Sequence, residues 1–204
     1  MESIRYVALG DSYTIGTSVA ESERWPNQLI ERLGATVQLE LVANLAVNGF
    51  TSADVIEDEL PGFVRLAPQF ATLLVGVNDV VQNVPEVTYR SNVAHILDTL
   101  VTAVGNERIV VVSTPDYTLT PQGASFGEPT RQRARIARVN EVMAERCANR
   151  AIQFVSIDTV ANGVPADRSL VAHDGLHPSG LQYARWVDAI APAVLDALSD
   201  NVSS

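Results

Sequence analysis

The sequence contains no lysine, a single cysteine and only three histidines. The absence of lysine excludes mechanisms that need a Schiff-base amine or a P-loop lysine. The lone Cys147 cannot form an internal disulfide, which is typical of proteins from a reducing compartment. It is therefore predicted to be a small packed side chain and not a catalytic thiol.

Long apolar runs and an excess of positive charge are also missing. No stretch reaches the roughly 18 apolar residues that a transmembrane helix needs, and the first residues lack the charged and apolar segments of a signal peptide. The net charge of -10 disfavours binding to nucleic acid or to acidic membranes. These features predict a cytoplasmic protein with no nucleic-acid partner and no stable membrane insertion.

The chain has 204 residues, of which 47% are hydrophobic and 6% are aromatic. This length allows one sizeable core, and no linker-like stretch divides it, so residues 1–204 are predicted to form a single domain. The low aromatic content offers no platform of rings that would commit a site to sugars. The sequence gives no indication of the oligomeric state.

Apolar runs alternate with helical patterns along the chain. The runs at residues 4–9, 71–75 and 109–112 are mostly apolar, and the last is continuous, as in strands that are buried on both faces. Such strands are typical of a parallel sheet covered by helices. The sequence therefore predicts an α/β fold with about five strands.

Three of the intervening helices carry recognisable signals. The first is predicted over residues 24–33. The second is predicted to begin at a capping pair, Thr51 and Asp54, and to end before Pro61. The third has an apolar face opposite His95, so this histidine is predicted to be solvated and not a base.

Two short segments at opposite ends of the chain carry groups for acyl transfer. Ser12 follows directly after the first apolar strand, and Asp174 and His177 lie three residues apart near the other end. Together they could supply a nucleophile, an orienting acid and a base. Ligands bind at the carboxyl ends of strands in open α/β sheets, and Ser12 occupies such a position.

Two further segments provide donors for a negatively charged oxygen. Gly49 lies in the segment 44–52 after a second apolar strand, and Asn78 lies in the segment 76–79 after a third. The absence of a side chain lets the N–H of a glycine approach closely, and an asparagine amide donates without carrying charge. Both groups suit the stabilisation of an oxyanion.

These four segments, in this order and at strand ends, resemble the blocks of the SGNH hydrolases, also called the GDSL esterase and lipase family. The resemblance covers most of the chain, from Gly10-Asp11-Ser12 to Asp174-Gly175-Leu176-His177-Pro178. It implies that Ser12 is the nucleophile, that Asp174 and His177 are the acid and base, and that the backbone of Ser12 and Gly49 and the side chain of Asn78 bind the oxyanion.

The resemblance also implies a fold and an activity. The fold is a three-layer α/β/α sandwich around a central, mostly parallel sheet of flavodoxin-like order. The activity is hydrolysis of carboxylic esters through an acyl-enzyme, without a cofactor or a metal, and it leaves thioesters and lysophospholipids open as substrates. Carbohydrate O-deacetylation is the alternative activity. A binding module without catalysis is a third reading, which the intact set of five site residues disfavours.

A second serine and a second histidine compete for these roles. Ser125 lies in a G-x-S-x-G match at residues 123–127, but the nucleophile elbow of α/β-hydrolases requires a sharp turn from strand to helix. The match lies in a proline-bounded loop, so a flexible loop is predicted there. His173 adjoins Asp174, but its side chain is expected to point away from that of its neighbour, which favours His177 as the base.

Two other clusters, one of aspartates and histidines and one of arginines, are candidate functional sites. Several aspartates and histidines could be drawn as a hydrolytic metal centre, but the chain lacks a D-x-H segment and has few histidines, so no metal is predicted. Arginines at positions 131, 133, 135 and 138 form a basic cluster. Their spacing indicates a solvated helix face, and contact with an anionic part of the substrate is the alternative.

Overall fold

The computed structural model describes residues 3–199 of the chain. Five parallel strands form one sheet in the order β2-β1-β3-β4-β5. This is the flavodoxin-like order, as predicted. The strands are β1 Ile4–Gly10, β2 Leu39–Asn44, β3 Phe70–Leu74, β4 Ile109–Val112 and β5 Gln153–Val155.

Helices connect the strands and cover both faces of the sheet. Short 3-10 segments also occur in the loops. No helix within residues 3–199 is long and apolar enough to cross a membrane. The α-helices are α1 Ser12–Ile15, α2 Trp25–Leu33, α3 Ser52–Asp54, α4 Leu60–Leu66, α5 Val77–Val81, α6 Glu86–Val104, α7 Pro129–Ala148, α8 Asp158–Ala161 and α9 Gly180–Ser199.

The sheet separates two hydrophobic cores. Successive side chains of a strand point to opposite faces, so Tyr6 and Ala8 of β1 join one core while Val7 and Leu9 join the other. Helices α2 and α9 supply most of the helical partners of the first core, and α4, α6 and α7 supply those of the second. The predicted three-layer α/β/α sandwich is therefore confirmed.

The second predicted helix does not end before Pro61, and this prediction is wrong. Thr51 caps α3 by accepting from the backbone N–H of Asp54, as expected, but a π-helical turn at Val55–Glu59 then leads directly into α4. Pro61 lies in the first turn of α4. A proline at this position needs no backbone donor of its own, and the preceding wide turn leaves room for its ring.

Two predictions about single side chains are confirmed. Cys147 is fully buried in the second core, and burial raises the pKa of its thiol to about 12, which keeps it protonated and unreactive. His95 lies on the exposed side of α6, opposite the buried Val93, Leu97 and Leu100.

The order of the strands determines where a ligand can bind. Strands β2 and β3 lie on either side of β1, so the chain turns in opposite directions after β1 and β3 and leaves a crevice between their carboxyl ends. Gly10 of β1 pairs with Leu74 of β3. The segments after these two residues therefore begin side by side.

Candidate active site

Ser12 is the first residue of α1 and follows β1 almost at once. Gly10 has a φ of 144°, and a Cβ atom at this residue would lie 2.1 Å from the carbonyl oxygen of Leu74, so only glycine fits between β1 and β3. Asp11 caps α1 by accepting from the N–H of Tyr13 at 3.0 Å. This tight turn presents Ser12, which is 4% exposed, at the crevice.

Asp174 and His177 form a close pair in the loop before α9. The imidazole Nδ1 lies 2.6 Å from Oδ2 of Asp174, and Oδ1 accepts from the backbone N–H groups of Leu176 and His177 at 2.9 and 3.0 Å. Partial burial by itself would raise the pKa of Asp174, but the hydrogen bonds from Ser18, His177 and the backbone outweigh it and hold this pKa well below its usual range.

The ionised state of Asp174 determines the tautomer of the histidine. An ionised carboxylate can only accept hydrogen bonds, so Nδ1 of His177 must donate and Nε2 keeps its lone pair. The imidazole is 11% exposed, and the ring of Tyr13 lies edge-on to it with 5.7 Å between centroids. His177 is thus held in the form that can accept a proton at Nε2.

One cavity brings Ser12, Asn78 and His177 together. It measures about 260 Å³, and its remaining walls come from Tyr13, Asn48, Val77, Val81, Tyr117, Phe126 and Leu176. Within residues 3–199 the Ser12 hydroxyl has no hydrogen-bond partner. Hydrogen bonds between a nucleophile and its base are often long without substrate and tighten when substrate binds.

The two predicted oxyanion donors occupy different positions relative to this cavity. Asn78 lines it, and one N–H of its amide donates to the carbonyl oxygen of Phe50 at 2.9 Å, which fixes the amide and leaves its second N–H available. Gly49 is exposed and follows Asn48, which lines the cavity. Its φ of 89° suits glycine.

A buried hydrogen-bond network holds the Asn78 segment in place. Asp79 accepts from the backbone N–H of Ser52 at 2.9 Å and from its hydroxyl at 2.5 Å, and the Asn92 amide donates to the same hydroxyl. Burial raises the pKa of Asp79, although the bonds from Ser52 oppose this effect. The network connects α5 to α3 and α6, and no pattern in the sequence indicated it.

Two further buried carboxyls lie in or beneath the turn that carries Ser12. Glu59, in the π-helical turn, accepts from the N–H of Gly10 at 2.9 Å. Burial raises the pKa of Glu59 to about 9 and that of Asp11 to about 8; repulsion from Asp11 adds to the shift of Glu59, and repulsion from Asp79 adds to that of Asp11. Both groups are therefore largely protonated in the folded protein at neutral pH.

These raised pKa values make stability depend on pH. Between the unfolded carboxyl pKa of about 4 and the folded values of about 8 and 9, the folded state holds protons that the unfolded state has released. The free energy of unfolding therefore decreases as the pH rises through this range. Asp11 and Glu59 contribute their full stabilisation only below it.

We expect Glu59→Gln to reduce the loss of stability at high pH, because the amide keeps an acceptor for the N–H of Gly10 and cannot ionise. The melting temperature of the variant, minus that of the wild type, should increase from pH 5 to pH 9. Glu57→Gln removes an exposed carboxyl from the same turn and is the matched control. A Glu59→Gln difference that stays constant with pH would contradict the proposed burial effect.

The arginine cluster on α7 is engaged in surface contacts. Arg133 pairs with Asp116 at 2.7 Å, Arg138 pairs with Glu86 at 2.7 Å, and Arg135 donates to the amide oxygen of Asn83. Hydrogen bonding to Arg138 lowers the pKa of Glu86 to about 2. None of the four arginines is among the residues that line the Ser12 cavity, so the solvated-face interpretation is favoured over contact with substrate.

The competing residues lie outside the cavity. Ser125 is exposed in a 3-10 segment at Gly123–Phe126 and not at a strand-to-helix turn, and its hydroxyl donates to the Gln122 side chain. His173 is exposed, whereas His177 is buried. Within the described part of the chain, no group of three or more acidic, histidine or cysteine side chains could hold a metal ion.

Sequence analysis missed one residue that contacts Asp174. The Ser18 hydroxyl donates to Oδ2 of Asp174 at 2.6 Å, across 156 positions of the sequence. Ser18 lies in a polar turn beyond α1 with no motif around it. No local signal could have identified this contact, because it exists only when the two ends of the chain meet.

Several solved structures resemble the chain over most of its length. TesA shares 18% identity with the chain over 95% of this chain and 99% of that one, with a TM-score of 0.76. Axe2, an acetylxylan esterase from Geobacillus stearothermophilus, shares 16% identity over 95% and 94%, with a TM-score of 0.72. LAE5, an α/β hydrolase from the metagenome of Lake Arreo, Spain, shares 17% over 97% and 96%, with a TM-score of 0.71. At these identities the likenesses show the fold.

The family is identified from the sequence. No curated protein sequence matches the chain significantly, but the model of the GDSL-like lipase/acylhydrolase family matches residues 8–185. The match includes all four segments that carried the resemblance, from Gly10 to Pro178. The chain therefore belongs to the GDSL-like lipase/acylhydrolase family and is a serine hydrolase that acts on ester bonds.

Proposed function

We propose that Ser12, His177 and Asp174 are the catalytic triad and that the N–H groups of Ser12 and Gly49, with the Asn78 amide, bind the oxyanion. One observation carries this assignment: the 2.6 Å pair of Asp174 and His177 presents its imidazole to the same cavity as Ser12 and Asn78. Because their pKa values are raised, the buried carboxyls of Asp11 and Glu59 are largely neutral at neutral pH. They therefore exert little repulsion on an oxyanion that develops at Ser12.

The reaction proceeds in two steps, formation of the acyl-enzyme and its hydrolysis. Ser12 Oγ attacks the ester carbonyl and its proton passes to Nε2 of His177, while Asp174 stabilises the imidazolium. The tetrahedral oxyanion collapses, and the leaving alcohol takes the proton from His177. Water then attacks the acyl-enzyme by the same route, which releases the carboxylic acid and restores the Ser12 hydroxyl. No cofactor or metal is needed in either step.

We infer that the preferred substrates are small esters. The cavity of about 260 Å³ lies below the range of roughly 300–1,000 Å³ that is usual for drug-sized ligands. Its apolar walls suit a short acyl group, whereas a long chain would leave most of its methylenes in water. This size favours short carboxylic esters over lysophospholipids. It leaves thioesters open, because the acyl group and not the leaving atom contacts these walls.

A carbohydrate O-deacetylase remains the second candidate. Axe2, with the same fold, is an acetylxylan esterase, and an acetyl group fits a cavity of this size. The crevice is open, which would accommodate a bulky alcohol outside it. The low aromatic content of the chain offers few rings for stacking on sugars, so simple short esters are favoured.

A panel of nitrophenyl esters in the presence of EDTA tests this assignment. We expect kcat/KM to reach its maximum by butyrate and to show no further increase up to decanoate, because each additional methylene finds no buried surface. Chelation should leave the rates unchanged. Acetylated xylo-oligosaccharides in the same assay test the alternative. A maximum at decanoate or loss of activity with EDTA would contradict the proposal.

We also propose a cytoplasmic location and a single domain. The single cysteine is buried and forms no internal disulfide, which is typical of proteins from a reducing compartment. Helix α9, near the end of the chain, packs against α2, near its beginning, in one core, which supports a single folding unit. The net charge of -10 supports the absence of a nucleic-acid partner.

A further inference from the structure

Ser18 contacts the catalytic acid from the nucleophile side of the site. It lies six residues after Ser12, and its hydroxyl donates to Oδ2 of Asp174 at 2.6 Å. Among the described residues, this is the one hydrogen bond that joins residues 11–19 to residues 172–178. The contact therefore connects the segment of the nucleophile directly to that of the acid and base.

The Ser18 bond completes the coordination of the Asp174 carboxylate. Oδ1 accepts from two backbone N–H groups, and Oδ2 accepts from Nδ1 of His177 and from the hydroxyl of Ser18. An ionised carboxylate offers about four acceptor sites, so all of them are occupied. A carboxylate held from four directions has one orientation, and that orientation sets the position of the imidazole.

Ser18 has a strained backbone conformation that its local sequence does not predict. Its φ is 70°, and it is the third residue of a turn closed by a bond from the N–H of Val19 to the carbonyl of Gly16. Positive φ at this position of a turn favours glycine or asparagine, whereas serine is disfavoured. Strain of this kind persists where the surrounding structure imposes it, and it occurs often at functional sites.

We propose that Ser18 is a positioning residue that orients Asp174, and through it His177, relative to Ser12. The inference rests on the proposed function, because it assigns Asp174 and His177 their roles in the triad. A serine occupies a backbone position that favours glycine, and the hydrogen bond of its hydroxyl holds the two segments of the active site in register. Ser18 does not contact the reacting atoms.

Glycine and threonine substitutions separate the hydroxyl from the backbone strain. Ser18→Gly removes the hydroxyl and relieves the positive φ, so the melting temperature should stay constant or increase. Its kcat for nitrophenyl acetate should decrease about tenfold with KM nearly unchanged, because a hydrogen bond to a charged group is lost. Ser18→Thr keeps the hydroxyl but places a β-branched residue at positive φ, so it should melt earlier and recover most of the lost kcat.

Ala151→Gly is the control for strain alone. Ala151 has a φ of 53° and precedes β5 at the opposite end of the sheet from the site, so this variant should keep the wild-type kcat. The glycine variant of Ser18 decides the proposal even if the threonine variant does not fold. A wild-type kcat in Ser18→Gly, or a loss confined to KM or to stability, overturns the positioning role.

A Ser12→Ala variant in the same assay separates the two levels of the proposal. If Ser12→Ala is inactive and Ser18→Gly is fully active, the triad stands and only the role of Ser18 is wrong. If Ser12→Ala keeps its activity, the proposed function itself fails, whatever the result for Ser18.

Discussion

Ser12→Ala should reduce ester hydrolysis by at least roughly 10⁴-fold, because the acyl-enzyme cannot form without the hydroxyl and only binding and oxyanion stabilisation remain. The measurement is kcat/KM for nitrophenyl acetate. In the wild type, a phosphonate that mimics the tetrahedral intermediate should label Ser12 irreversibly. The melting temperature of Ser12→Ala should change little, since a small hydroxyl without a hydrogen-bond partner is removed.

Ser125→Ala is the matched control for this experiment. Ser125 is exposed, and its hydroxyl contacts only the side chain of Gln122, so its loss should leave kcat/KM nearly unchanged. An inactive Ser125→Ala together with an active Ser12→Ala would exclude the assigned mechanism. Labelling of another residue by the phosphonate would lead to the same conclusion.

Asn78→Ala should lower kcat by roughly 10²–10³ with little change in KM, the usual cost of losing one oxyanion donor. The bond from its free N–H strengthens only when charge develops on the carbonyl oxygen, so the loss belongs to the transition state. Asn78→Asp keeps the size of the side chain but replaces the donor with negative charge, and its loss should be at least as large.

The N–H of Asn78 that does not face the oxyanion serves the structure, so each variant needs a stability measurement. The amide donates to the carbonyl oxygen of Phe50 at 2.9 Å, and both substitutions remove this bond. A loss that appears mainly in KM would indicate ground-state binding. Unfolding of both variants at the assay temperature would indicate that Asn78 holds the loop and would contradict a purely catalytic role.

The arrangement of the site follows from the switch point of the sheet. Ser12 and Asn78 follow neighbouring strands whose last residues pair, Gly10 with Leu74. The crevice between the two strands then receives the loop of Asp174 and His177 from the far end of the chain. The side chain of Tyr13 contacts the imidazole, so the turn of Ser12 and the loop of Asp174 and His177 also pack against each other.

Elements whose signals are local could be predicted from the amino-acid sequence. Continuous apolar runs predicted the buried parallel strands, because a strand covered on both faces has no polar side. Ser12 and Asn78 could be predicted at the crevice because each follows such a strand, and the pairing of Asp174 with His177 follows from their spacing of three residues. The family resemblance then assigned these residues their roles in the order of the chain.

Local signals failed where a neighbouring turn changed their meaning. Pro61 is typical of a helix end, but the π-helical turn at Val55–Glu59 allows the helix to continue past this proline. The same turn carries Glu59 beneath the nucleophile, where it holds the N–H of Gly10. Nothing in the sequence of this segment distinguishes a buried carboxyl from the exposed Glu57 and Asp58 beside it.

Contacts between groups that are far apart in the sequence depend on the folding of the whole chain. The hydrogen bond from Ser18 to Asp174 spans 156 positions. The orientation of the Ser18 side chain depends on the positive φ of this residue, which the surrounding sequence does not predict. The cavity of about 260 Å³ likewise combines walls from segments that follow β1, β2, β3 and β4 with the loop before α9. The sequence determines the type and order of the chemical groups through local patterns, whereas their distances, burial and pKa values arise when the sheet brings its strand ends together.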